Sequence, residues 1–163
     1  MILIDFIVLW IHIFSAIFFV GGSFFIWLVV VPASFKITDD EKLRTRIVGL
    51  IGKQFALFTD ITLAILVITG IYNATWYLNY DVSNLFDTNY GQTLLAKIIL
   101  VGIMIIILYG NNIYHGKRIM QMAREGRFEE MRRLRKWSHF FSYITLALLM
   151  IITILAVALQ FYL

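Results

Sequence analysis

The chain has no cysteine and a single proline in 163 residues. Without thiols there can be no disulfide, thiolate metal site, iron–sulfur cluster or cysteine nucleophile. A metal or haem would have to be held by His, Met, carboxylate or carbonyl groups. One proline and no low-complexity sequence leave no linker for a second unit, so residues 1–163 are expected to form one domain. Charge is scarce as well, at 15% of residues, against 61% hydrophobic and a mean hydropathy of +0.84. An ordinary soluble domain is not that apolar. There is no Gly-rich phosphate loop and no Ser/His/Asp pattern. The net charge of +4 does not point to nucleic acid, because the basic residues gather in two loops.

What is present is four apolar segments, at about 6–31, 55–77, 93–114 and 138–162. Each is long enough to cross a hydrocarbon core of about 30 Å, and helices satisfy their own backbone groups in lipid. The fold class expected is all-α: an integral membrane four-helix bundle with short loops. The first segment lacks the basic start of a secretory leader and is too long for one, so it is expected to span rather than be cleaved. The connection 36–53 carries five Lys/Arg, 115–137 carries eight, and 79–92 carries none. By the positive-inside rule the two basic loops are cytoplasmic, which puts both termini outside a plasma or inner membrane. Trp76, Tyr77, Tyr80 and Tyr90 form the expected outer aromatic belt, with Tyr114 and Trp137 at the inner one. Thr38, Asp39, Asp40 and Glu41 read as a helix start, predicting a short surface helix in the first loop. The basic stretch 124–136 reads as an extension of the third and fourth helices, its charge serving to set topology.

Ionisable groups inside such spans are costly and usually have a partner or a task. His12 lies about 10 Å below the outer surface and Lys97 about 6 Å below it. Thr69, Asn73, Thr153 and Gln160 share that half, so an outer polar pocket is expected. The inner half holds Asp60, Asn111, Asn112, His115, Ser138, His139 and Ser142. Lys97, Met104, Asn111 and His115 recur as one stripe down the third helix; Asp5, His12, Ser15 and the Gly22/Ser23 pair share a face of the first. Both faces are expected to point inward. Asp60, Asn111 and Asn112 are candidates for a proton or polar relay. His115 and His139 flank one loop and could face each other as a second cofactor site. Met104 is the candidate thioether partner of His12 for copper.

Several local patterns then resemble a known family. Trp10-Ile11-His12 runs on to Gly21-Gly22 and Pro32. The second helix ends Val67-Ile68-Thr69-Gly70-Ile71-Tyr72-Asn73. The third opens Asn89-Tyr90-Gly91-Gln92-Thr93-Leu94-Leu95-Ala96-Lys97. Together they resemble the copper-resistance CopD family and the related HemJ-type membrane proteins, over most of the four-helix unit. The CopD resemblance implies copper handling in the membrane, with His12 and Met104 as ligands. The HemJ resemblance implies bound haem b and oxidation or electron transfer, with His12 and Lys97 matching that family's helix-one His and helix-three Lys. The outer loop is closer to CopD, and the Met and His richness of a dedicated copper exporter is missing. Copper or haem b is therefore the expected cofactor. The expected partners are the lipid bilayer, other membrane subunits or a second copy, and no nucleic acid. A further alternative is an accessory subunit of a larger membrane complex with no chemistry of its own.

Overall fold

Four long helices, each apolar enough to cross a membrane, account for nearly all of the computed structural model, which describes residues 3–162. They are α1 (Leu3–Ile37), α2 (Glu41–Tyr77), α4 (Asn89–Glu125) and α5 (Phe128–Phe161), with a single-turn helix α3 (Asn84–Asp87) in the middle connection. At 34 to 37 residues they outrun a hydrocarbon core, which takes about 20. The excess carries the basic loops, so the bundle continues as helix beyond the apolar zone at one end.

That continuation corrects one expectation. Asp40 does cap a helix, its carboxylate accepting from the backbone N–H of Lys42 and Leu43. The helix it starts is not a separate surface element, however. It runs unbroken from Glu41 to Tyr77, because nothing between Lys53 and Phe55 stops it: there is no proline, and the glycines at 49 and 52 only weaken a helix. The lone proline, Pro32, is absorbed in α1 by a π-helical turn at Ile26–Val30 just before it. A second π turn, Asn112–Gly116, interrupts α4. The turn from α4 to α5 depends on Gly126, whose φ of +74° is left-handed and favours glycine.

α1 packs on α2 and α4 on α5, with α5 also touching α1. Phe19, Leu63, Met104, Leu146 and Leu149, drawn from all four helices, form the central core. Leu78, Leu94 and Leu159 form a second layer toward the other end, where the rings of Trp76, Tyr77 and Tyr90 pack against one another at tilted angles. Lipid tails give no hydrophobic drive to helix association, so close approach matters. It is achieved where Phe55 lies over Gly22 and where the Met120 thioether lies over Gly49. At the basic end Glu41 joins α2 to α5, receiving Arg132 at 2.8 Å and Arg135 at 3.4 Å. Arg135 also roofs Met131, which is fully buried.

Gly91 marks the tightest point. A Cβ there would fall 2.0 Å from the Asn84 carbonyl oxygen and 2.6 Å from Leu85 Cα, both backbone atoms of α3. Gly91→Ala is expected to cost about 1–3 kcal/mol through forced backbone displacement. Gly102→Ala, with open space around its Cβ, should be neutral or slightly stabilising. Thermal unfolding in detergent compares them, and equal behaviour of the two variants would refute the packing account. Glu41→Gln should lower the unfolding temperature at low salt, with the difference shrinking as salt screens the pair.

Candidate functional site

His12 sits on the inward face of α1, seven residues after Asp5 and seven before Phe19, and all three point into the bundle. Its Nδ1 is 2.8 Å from the Thr69 hydroxyl of α2. Thr69 has one hydroxyl proton, and its oxygen lies 2.6 Å from the Ile65 carbonyl, the back-bond common for Thr within a helix. With that proton committed, the Thr69 oxygen is the acceptor and His12 Nδ1–H the donor. The remaining nitrogen, Nε2, then carries the lone pair of the neutral ring. The Leu66 carbonyl is a second, more distant acceptor for the Thr69 hydroxyl, at 3.4 Å. Gly70 completes the seat: a Cβ there would lie 3.2 Å from His12 Cε1, so the ring rests against bare backbone.

Lys97 comes from α4 toward the same end of the bundle, one turn beyond Leu94 of the second core layer. It is the one Lys or Arg outside the two basic connections. It is half-buried, and among the described residues it has no ion pair. Toward the same end, buried Asp5 accepts from the Tyr72 hydroxyl at 2.9 Å. Asn73 is buried one turn beyond Thr69, and its Nδ2 amide has no partner among the described residues. The structure thus brings His12, Thr69, Lys97, Asp5, Tyr72 and Asn73 to one end of the bundle. Thr153 and Gln160, expected in the same pocket, are exposed instead; the Thr153 hydroxyl back-bonds to the Leu149 carbonyl of its own helix.

The other candidate residues are dispersed. Met104 is 2% exposed in the apolar core, among Phe19, Leu63, Leu146 and Leu149. Asp60 is on the outer surface of the bundle rather than inside it, accepting from the Tyr109 hydroxyl of α4 at 2.7 Å. Asn111 donates to the Ser138 carbonyl at 3.1 Å and the Ser142 hydroxyl at 3.0 Å, tying α4 to α5, while Asn112 is exposed. His115 packs on Phe141 and His139 on Trp27. Positions 139 and 141 lie about 200° apart around a helix. His115 and His139 therefore meet different faces of α5 and are not brought together. Buried Asn111 Oδ1 and His115 Nδ1 both lack a partner among the described residues. Among the described residues no group of three or more His, Asp or Glu is placed to hold a metal ion.

Thr69 and Asn73 were visible as polar residues at the right depth. Tyr72 and Tyr109 carried no such signal, since membrane tyrosines usually mark an interface and neither falls on a polar stripe.

The fold and this arrangement can be set beside known proteins. The family model for CopD, copper resistance protein D, matches residues 50–159, which include Thr69, Asn73 and Lys97 but not His12. A protein of Aquifex aeolicus (strain VF5), described only as uncharacterized, is 24% identical over 153 residues, covering 93% of this chain and 92% of that one. No solved structure matches. With more than half of its length matched, all of it within the helical bundle just described, the chain belongs to the CopD family, as a multi-pass membrane protein.

Proposed function

We propose that this CopD-family chain binds haem b through His12 and serves as a membrane electron-transfer or oxidoreductase protein. The observation that carries the reading is the 2.8 Å contact between His12 Nδ1 and the Thr69 hydroxyl. Nδ1 is spent on Thr69, which leaves Nε2 as a lone pair held in a fixed orientation, the condition for an imidazole ligand. Lys97, without an ion pair among the described residues and at the same end of the bundle, supports haem over a bare metal ion, because an ammonium repels a cation and attracts a propionate. Bound haem b supplies a one-electron Fe(III)/Fe(II) couple. The chain's part is to present Nε2, to neutralise negative charge through Lys97, and to exclude water with the surrounding apolar helices.

Copper handling is the second reading, and the family's own description favours it. Met104 does not support it, since that thioether is packed among apolar side chains in the core. We further propose that the basic ends of the helices face the cytoplasm, following the positive-inside rule, in a plasma membrane. The Asp60–Tyr109 pair and the Asn111, Asn112 and His115 group at that end then serve as candidates for proton exchange.

Purified protein in detergent should show a Soret band, with α and β bands that sharpen on dithionite reduction, and about one iron per chain. His12→Ala should abolish the band. Thr69→Val keeps the side chain's volume but removes the Nδ1 acceptor, and should weaken binding about 10–100-fold. A featureless spectrum with one copper per chain would replace haem by copper. Neither cofactor, in helical protein, would favour an accessory subunit.

A further inference from the structure

Arg44, in the first turns of α2, is a cation that no acid of the chain meets among the described residues. Its guanidinium lies over the Phe35 ring of α1, 4.3 Å from the ring centre. The side chain is half-buried, yet among the described residues the guanidinium has no hydrogen bond and no ion pair, and its Nε is fully shielded without an acceptor. The neighbouring acids are committed elsewhere. Glu41 is shared by Arg132 and Arg135, and the Asp40 carboxylate caps the backbone of Lys42 and Leu43. Asp39 is exposed and forms no ion pair among the described residues. The other Lys and Arg of this connection, Lys36, Lys42, Arg46 and Lys53, are all exposed. Arg44 alone is held in place, by an aromatic ring rather than by an anion.

The place is also a boundary. From Leu3 to Phe35, α1 carries no Lys or Arg over a rise of about 50 Å, which for a tilted helix matches a bilayer with its headgroups. Lys36 ends that run, so Phe35 and Arg44 stand at headgroup depth. Phe35, Ile37 and Leu43 are exposed apolar side chains at the same level. Stacking uses the face of a guanidinium and leaves the N–H groups in its plane, a fork that matches two phosphate oxygens. We propose that Arg44, held flat on Phe35, binds the phosphodiester of an anionic membrane phospholipid where α1 ends and α2 begins. The exposed apolar side chains offer the lipid's tails a surface. Lys36 and Lys42 add a positive field that favours a net anionic headgroup over a zwitterionic one. The site is at the opposite end of the bundle from His12, and neither the haem nor the copper reading bears on it.

The test is native mass spectrometry of the full chain released from micelles that hold phosphatidylglycerol and phosphatidylcholine in equal amounts. The unaltered protein should retain one phosphatidylglycerol at least about fivefold over phosphatidylcholine. Arg44→Gln should lower that retention about fivefold, while Arg46→Gln, which removes the same charge from an exposed position two residues on, should change it less than about twofold. Arg44→Lys keeps the charge without the planar fork and should restore only part of the loss. It also keeps the test decisive if circular dichroism shows that Arg44→Gln does not fold. Equal retention of the two lipids overturns the site. Equal losses in Arg44→Gln and Arg46→Gln, or full retention in Arg44→Lys, overturn it too, because diffuse charge then explains the binding. Displacement of the lipid by inorganic phosphate assigns Arg44 to a soluble anion and overturns the lipid as occupant.

Discussion

One hydrogen bond, from His12 Nδ1 to the Thr69 hydroxyl at 2.8 Å, joins α1 to α2 at the end of the bundle away from the basic loops. It works because Thr69 has nothing left to give: its own proton is held by the Ile65 carbonyl inside α2. The direction of the bond, and with it the free nitrogen of His12, is thus decided by backbone geometry in a neighbouring helix. In water such a bond would contribute about 1 kcal/mol and compete with solvent. In lipid there is no solvent to compete, so the polar groups that face each other here set the register of α1 against α2.

The rest of the bundle serves that register. Glycine stands where close contact is needed: Gly70 under the His12 ring, Gly22 under Phe55, and Gly91 against the backbone of α3. The last of these fixes where α4 begins, and therefore the depth at which Lys97 sits six residues later. At the far end Glu41, shared between Arg132 and Arg135, binds the start of α2 to the start of α5. The two ends do different work. The basic end holds helices together through charge pairs, while the other end does so through hydrogen bonds between buried and half-buried polar groups.

Asp60 shows where reasoning by depth alone runs out. Its position along the chain gives no direction: it faces outward and is held by Tyr109. A single carboxylate has no periodic companion on α2 to reveal which way it points. The stripe on α4 did have companions, and its members Lys97, Met104, Asn111 and His115 are all buried or half-buried. Likewise His115 and His139 are close in sequence across one turn, but two residues of α5 separate the contact of one from the position of the other.

Composition and periodicity determined the four spans, the polar residues in each half, and the helix start at Asp40, because these depend on hydropathy and local capping within one segment. The family patterns were legible for the same reason, being short runs of neighbouring residues. Which polar groups meet was decided only by tertiary structure. Thr69 rather than Met104 is the contact of His12, Tyr72 that of Asp5, and Trp27 that of His139. The physical reason is that a helix tells each side chain its angle and depth, while its partner depends on the rotation of a second helix, set by packing at glycines and aromatics far from either group.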